Sequence, residues 1–356
     1  MLKKLFALTL SALLGVIALS GCSCSNEVLS FSNGNGFNNG QDPAATHTEK
    51  LVYDVTFNEN ATDYYAKNEN IDNLLKLEFT DGKYVSEFKV LTDLTEIPED
   101  IKSEISVQTL YSLTTEFAVR IKVTAGDKTY EHDDRIETKT LFLPQGFSFA
   151  PVYSESESSC LLPYLNSDGA KVTLLCDRFT VQYSKDKYAY AQTVDYIYDY
   201  TTDMEDAVVS RTDTSSDTVK YNFRSLIDNA QLLFVLRNIK LEEKASFNLP
   251  VLSESYKETK TLSVTNDSSL EKKINIKYNG EETEDTVKYD LLTFRINSST
   301  NAGLKQFVSV QSAAGATVKN YALPIEYARA VTIVGGSYPI AGTLVFSLAE
   351  VEINDQ

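Results

Sequence analysis

The sequence predicts a mainly β protein: an antiparallel curved sheet, or one or two half-open β barrels, with one buried helix near 224–238. Two observations predict this fold class. Stretches in which apolar and polar residues alternate recur from Glu49 onward, which is the period of half-buried strands. Only one long stretch, 224–238, has apolar residues at the spacing of an amphipathic helix.

Short turn signals separate the predicted strands. Strand patterns at 73–80 and 84–91 flank Asp81-Gly82-Lys83, which predicts a hairpin turn. Gly126 and Asp127 follow the pattern at 116–124, and a short helix is predicted at 97–105. The remaining strand patterns lie at 51–58, 171–184, 187–200, 258–266, 272–280, 286–297, 304–311, 327–335 and 342–353.

The predicted helix at 224–238 has one broad apolar face. Its apolar positions include Leu226, Ala230, Leu233 and Phe234, three or four residues apart. The segment 232–236 is apolar on all sides. A helix of this kind is stable when other elements cover it, so we expect the sheet to surround it.

The N-terminus resembles a bacterial lipoprotein signal peptide. Two lysines precede an apolar run from Leu5 to Leu19, which is too short for a bilayer core about 30 Å thick. The run closes on Leu19-Ser20-Gly21-Cys22, a sequence similar to a lipobox. This resemblance implies lipidation at Cys22, including palmitate, and an extracytoplasmic protein anchored to a bacterial membrane. Because Ser23 follows, the outer membrane is expected if the host has two membranes.

Four regions are predicted along the chain. Residues 1–21 form the signal peptide, and the Ser-, Asn- and Gly-rich residues 22–48 form a flexible tether. Residues 49–202 form an N-terminal antiparallel β region, and 203–356 form a C-terminal half-barrel region with the helix. A single continuous domain over 49–356 fits the pattern as well, and any boundary is expected in the polar stretch 203–218.

Two cysteines lie in the predicted β body, Cys160 and Cys176. A three-residue loop at 167–169 would place Asn166 opposite Ala170, and Cys160 would then lie directly opposite Cys176. Cross-strand neighbours are close enough for a disulfide, and an extracytoplasmic compartment permits oxidation. A disulfide and a pair of reduced thiols both fit the sequence.

The composition excludes several functions. A formal net charge of −17 repels phosphate backbones, so we expect no nucleic-acid partner. With two histidines and no nucleotide-binding or hydrolase motif, we expect no catalytic residue, cofactor or metal site. His132 stands among carboxylates, as a metal ligand or a base would, but the pattern favours a solvated hairpin edge.

Five tyrosines share one parity in the stretch 187–200 and would face one side of a regular strand. They form a candidate ligand surface together with two residues of the predicted helix; packing of the rings into the sheet is the alternative. The candidate residues are Tyr188, Tyr190, Tyr196, Tyr198, Tyr200, Leu233 and Phe234.

The C-terminal part resembles a large, uncharacterised family of bacterial envelope proteins. In 226–252 a helix ending at Arg237 precedes a strand closing on Pro250, and 323–348 adds a proline, a strand, a glycine-containing turn and a last strand. The resemblance covers roughly 190–356. It implies half-open β barrels plugged by a helix, similar in architecture to the lipoprotein-localisation carriers (LolA/LolB type), which hold acyl chains in the concavity. It implies no catalytic residues.

These observations lead to three functional expectations. The first is a non-enzymatic, membrane-anchored lipoprotein that binds an apolar or amphipathic envelope ligand, such as a lipid or an acyl chain, in the half-barrel concavity. The second is a structural or interaction lipoprotein that contacts an envelope protein and has no small-molecule ligand. The third is a hydrolase with carboxylates that the sequence does not single out.

Overall fold

The computed structural model describes residues 43–58, 75–95, 97, 99–104, 108–144, 149–166, 169–184, 187–199, 211–220, 226–237, 246–252, 258–298, 305–311, 323–332 and 340–355. The proposed signal peptide, Cys22 and most of the tether lie outside these residues, as does Tyr200.

The described chain is almost entirely strand, as the alternating pattern predicts. In chain order the strands are β1 (Thr48–Asn58), β2 (Leu75–Leu91), β3 (Leu110–Ala125), β4 (Lys128–Phe142), β5 (Pro151–Asn166), β6 (Gly169–Tyr183), β7 (Lys187–Asp199), β8 (Arg211–Lys220), β9 (Ile227–Asp228), β10 (Ser246–Leu252), β11 (Glu258–Tyr278), β12 (Glu281–Ser298), β13 (Lys305–Gln311), β14 (Pro324–Thr332) and β15 (Ile340–Asn354). The predicted short helix is α1 (Glu99–Glu104), and α2 (Leu232–Leu236) follows a 3-10 turn at Asn229–Gln231.

All fifteen described strands belong to one sheet, so the predicted fold class is confirmed. The order is β8-β7-β6-β5-β4-β3-β2-β1-β15-β14-β13-β12-β11-β10-β9. Strands β1 to β8 form an antiparallel meander in which each strand pairs with the next one in sequence. The pairing of β1 with β15 joins this meander to the C-terminal strands.

Strand β15 connects three other strands. It pairs with β1 along one edge. On its other edge, Thr343 to Ser347 pair with β14, whereas Glu350 to Ile353 pair in parallel with β11. Because β11 also connects to β14 through β12 and β13, strands β11 to β15 form a closed circuit of pairings. This closure is the barrel-like part of an otherwise open curved sheet.

The predicted hairpin at Asp81-Gly82-Lys83 is wrong, because β2 continues through it. The register with β3 shifts between Thr80 and Lys83, as in a β-bulge, and Asp81 has a φ of 53°. Gly82 pairs with Val55 of β1, and a Cβ at Gly82 would lie 2.5 Å from the Val55 carbonyl oxygen. The glycine therefore permits close approach of two strands rather than a reversal of the chain.

The predicted pairing of the two cysteines is also wrong, by one residue. Asn166 pairs with Gly169, so the β5–β6 loop has two residues rather than three, and Ser159 lies opposite Cys176. The register is unbroken along this hairpin, so Cys160 extends to the other face of β5. The two cysteines are not joined by a disulfide.

The helix predicted at 224–238 is buried but shorter than expected. Leu226 precedes it, and Ile227 and Asp228 form β9, which pairs in parallel with Val251 and Leu252 of β10. We call residues 227–237 the plug. Its apolar side chains join the main core, which is formed by inward-facing residues of β1, β2, β3, β4, β11 and β15.

Candidate functional site

The plug fills the concave side of the sheet with an aromatic cluster. The Phe234 ring stacks on Phe88 of β2 with ring centroids 4.8 Å apart. It meets the rings of Phe142 and Phe149 edge-on at 5.2 and 5.7 Å. Tyr111 completes the cluster, 5.1 Å from Phe88. The chain's own segment thus occupies the concave side of the sheet.

Polar contacts fix the beginning of the plug. The Asp228 carboxylate accepts hydrogen bonds from the Ala230 backbone N–H at 2.8 Å and from the Tyr183 hydroxyl. Gln231 accepts a bond from the Asp228 N–H and donates one to the Phe149 carbonyl oxygen at 2.8 Å. This capping box is buried, and burial raises the pKa of Asp228 even though its hydrogen bonds act against the shift.

A buried ion pair fixes the end of the plug. The Arg237 guanidinium donates two hydrogen bonds to the Glu49 carboxylate, at 2.5 and 2.9 Å. The two side chains are only 1% and 3% exposed. Both charges are thereby removed from water, and the bidentate hydrogen bonding offsets the free-energy cost of desolvating them. The plug is therefore fixed at one end by a buried capping box and at the other end by a buried ion pair.

The predicted ligand surface does not form one open surface. Tyr188 is buried, and Tyr190 packs against the same small core as Phe179 and Val181. Tyr196 is partly buried and lies under the Arg211 guanidinium, 3.8 Å from its ring centroid. The register of β7 shifts after Tyr196, which pairs with Leu175, and Tyr198 pairs with Leu174. Tyr188 and Tyr190 therefore pack into the sheet, which is the alternative interpretation of these tyrosines.

The two predicted ligand residues of the helix also belong to the core. Phe234 is buried in the aromatic cluster, and Leu233 is half-buried against the main core.

His132 lies in a sheet interior rather than at a solvated hairpin edge. It pairs with Ile121 of β3, and its Nε2 lies 3.0 Å from the Ser159 Oγ of β5. The Ser159 Oγ in turn accepts a hydrogen bond from the Cys176 thiol, with a sulfur–oxygen distance of 3.6 Å. No local pattern indicates this contact, because it depends on the β4–β5–β6 register. Among the described residues, no group of three histidines, cysteines or carboxylates could hold a metal ion.

A charged groove of about 510 Å³ crosses β2 to β6. Its charged lining residues are Glu87, Glu116, Arg135, Glu137, Lys139, Glu155, Glu157 and Arg178. Arg135 pairs with Glu116 at 3.1 Å, and Arg178 pairs with Asp195 at 2.9 Å. A second groove, of about 490 Å³, lies where β1, β11 and β15 meet and carries Lys50, Lys277, Glu350 and Glu352. Such mixed charges match a polar protein surface better than an acyl chain.

None of the helices in the described part of the chain is long and apolar enough to cross a membrane. No family model matches the sequence, and no curated protein matches it. Among solved structures, the chain is similar to a β-barrel-like protein of a domain of unknown function (DUF1849) from Brucella abortus. That crystal structure aligns over 87% of this chain and 99% of its own, with 11% sequence identity and a TM-score of 0.42.

Proposed function

We propose that this protein is a non-enzymatic extracytoplasmic lipoprotein, anchored to a bacterial membrane through Cys22, that acts by contacting another envelope protein. The observation that carries the proposal is the plug. Its aromatic and ionic contacts occupy the concave side of the sheet, so that side serves as the core of a rigid body. We take the groove across β2 to β6 as the recognition surface.

The charge of that groove supports a protein partner. Five glutamates, two arginines and one lysine line it, and the side chains of Glu116, Arg135 and Glu137 are about half exposed. Interfaces with complementary charges of this kind gain specificity and association rate. A net charge of −17 disfavours a nucleic acid or an anionic lipid surface as the partner.

A second function, the carriage of a lipid or acyl chain, is supported by the residues beneath the plug. Phe88, Tyr111, Phe142 and Phe149 form a continuous apolar surface that displacement of the plug would expose. In this alternative the acyl chain would replace Phe234 and its neighbours. The two functions place the partner on different sides of the same sheet.

Site-specific photocrosslinking in cells distinguishes these functions. A photoreactive phenylalanine analogue is placed at Glu157, in the groove, or at Leu233, in the plug, of the full chain. We expect a discrete protein adduct from position 157 and no lipid adduct from position 233. A lipid adduct from position 233, with no protein adduct from position 157, would refute the interaction function and support the carriage of a lipid instead.

The anchor requires its own test. In cells supplied with an alkynyl fatty acid, the wild-type chain should carry the label and sediment with membranes. Cys22→Ala should abolish both properties, whereas Cys24→Ala, the matched control two residues away, should retain them. Labelling of the Cys22→Ala chain would contradict the proposed anchor.

A further inference from the structure

Strand β8 is the exposed end of the sheet. At the opposite end lies β9, whose two residues are buried at the beginning of the plug. In β8, by contrast, every residue except the partly buried Val219 is exposed, so neither face of this strand is covered. Within the described part of the chain, β8 pairs with β7 alone. Its outer edge therefore offers backbone groups to a further strand.

The pairing of β6, β7 and β8 determines which residues of β8 direct their backbone groups outward. Across the β6–β7 turn the Ser184 N–H donates to the Lys187 carbonyl oxygen at 2.9 Å, so the backbone groups of Lys187 are directed at β6. This direction alternates along a strand, so those of Tyr188 are directed at β8, and those of its partner Val219 at β7. The outward-directed residues of β8 are then the even-numbered ones: Thr212, Thr214, Ser216, Thr218 and Lys220.

A hydrogen bond within β8 agrees with this assignment. The Thr218 N–H donates to Oδ1 of Asp217 at 2.7 Å, as an N–H directed away from β7 can. The side chain of Asp217 thus satisfies the outer edge at Thr218. The preceding outward-directed residues are Thr212, Thr214 and Ser216, in a polar stretch without proline, the residue that commonly protects sheet edges.

The charges of β8 favour a second copy of the same strand in one register. Two copies pair antiparallel when outward-directed residues oppose each other, so even-numbered residues must lie opposite even-numbered ones. A two-fold axis at Thr214 satisfies this condition and places Arg211 opposite Asp217 of the second copy, and the reverse. An axis one residue away in either direction would oppose two aspartates, because Asp213 would meet either itself or Asp217.

We propose that β8 is an interface with a second copy of this chain, which continues the sheet across a two-fold axis at Thr214. Arg211, Asp213 and Asp217 lie on one face of β8, because they are separated by even numbers of residues. The Arg211 guanidinium stacks on Tyr196 and pairs with Asp213 at 3.2 Å, and its remaining donors are available to Asp217 of the second copy.

This interface is separate from the groove of the proposed function. The groove crosses β2 to β6, and β8 lies two strands beyond it, so both surfaces can be occupied at once. One short strand edge buries little surface, so the association is weak and depends on concentration.

Thiol bridging tests the register. The full chain carries serine at positions 22, 24, 160 and 176 and one new cysteine in β8, and dibromobimane fluoresces when it bridges two thiols. Thr214→Cys should give a bridged dimer, because the two Cα atoms on the axis lie about 5.5 Å apart. Ser216→Cys, the matched control, should give none, because its two copies are four residues apart along the strands, or about 13 Å. Mixing Ser216→Cys with Thr212→Cys should restore bridging. Equal bridging in Thr214→Cys and Ser216→Cys would overturn the proposal.

Charge exchange tests the ion pairs, with the dissociation constant of the dimer measured by sedimentation equilibrium. Arg211→Asp and Asp217→Arg should each raise this constant about tenfold, because each change turns two attractive cross-strand pairs into repulsive ones. The double variant exchanges the charges and should return the constant to that of the parent chain. Lys220→Asp makes the same change of charge beyond the paired residues and should have little effect. A parent chain that is monomeric at about 1 mM, or a double variant no tighter than the single ones, would refute the second copy as the partner of β8.

Discussion

Replacement of Asp134 by asparagine is expected to stabilise the protein above neutral pH. Asp134 lies on β4 with 7% of its surface exposed, and its Oδ1 accepts a hydrogen bond from the Leu161 N–H at 2.9 Å. Burial raises its pKa to about 7; the Leu161 hydrogen bond opposes this shift, and the Asp133 charge adds to it.

The sign of the pH dependence follows from the two pKa values. The ordinary value is 3.8 and the folded value is about 7, so between them the folded state binds a proton that the unfolded chain does not. Stability therefore falls as the pH rises through this window. The difference of about 3 units corresponds to about 4 kcal/mol of lost stability above pH 7. Asparagine keeps the acceptor for the Leu161 N–H and has no charge to desolvate, so this loss should disappear.

Urea unfolding at about pH 5 and about pH 8 measures the effect. The wild-type chain should lose stability between the two pH values, and Asp134→Asn should lose much less and exceed the wild type at the higher pH. Asp133→Asn is the matched control, because the neighbouring carboxylate is 80% exposed and the same charge is removed. A pH dependence in Asp134→Asn equal to that of the wild type would refute the assignment.

Three further predictions concern the buried ion pair, the aromatic core and the close approach of two strands. Arg237→Met and Glu49→Gln should each destabilise the chain by about 3–5 kcal/mol in urea unfolding, whereas the double variant should lose far less than the sum, because no charge is left unpaired. Phe234→Ala should cost about 3–5 kcal/mol and open an apolar cavity, detectable by xenon binding in a crystal. Gly82→Ala should lower the unfolding midpoint by the equivalent of about 1–3 kcal/mol, because its Cβ would meet Val55; Gly126→Ala, in a turn with open space, tests backbone strain alone.

The sequence predicts the strands well because their signal is local. Alternation over a few residues is sufficient to identify the strands that flank the turn at Gly126 and Asp127, where Gly126 has a φ of 60°. At Gly82 the same kind of local signal misleads, because glycine is found both in β-bulges and in hairpin turns. What separates them is the close approach of β1, which comes from a different part of the chain.

Register is the property that the local pattern does not determine. A two-residue and a three-residue loop between β5 and β6 differ by one position, yet that difference separates Cys160 from Cys176 and brings Ser159 to the thiol. The bulge in β7 has a similar effect on the tyrosines. The contacts of Ser159 with His132 and Cys176 therefore could not be predicted before the strand pairing was known.

The contacts that hold the plug are even harder to predict from the sequence than the strand register is. Arg237 and Glu49 are 188 residues apart, and Gln231 and Phe149 are 82 apart. Amphipathic spacing indicates that the helix is buried, but it carries no information about which strand supplies the counter-charge. The helical period also gave no indication that Ile227 and Asp228 are strand residues, because their pairing with β10 is a tertiary contact.

The plug contacts restrict the ligands that the carriage alternative can accommodate. A ligand that displaces the plug must separate Arg237 from Glu49, which costs about 3–5 kcal/mol if either charge stays buried. At about 0.8 kcal/mol for each buried methylene, about five methylenes offset the ion pair alone. The aromatic contacts of Phe234 must be replaced as well, so a ligand with a short apolar tail would bind too weakly to displace the plug. Only a long acyl chain meets this requirement, which is why a lipid adduct at position 233 is the decisive alternative to a protein partner in the groove.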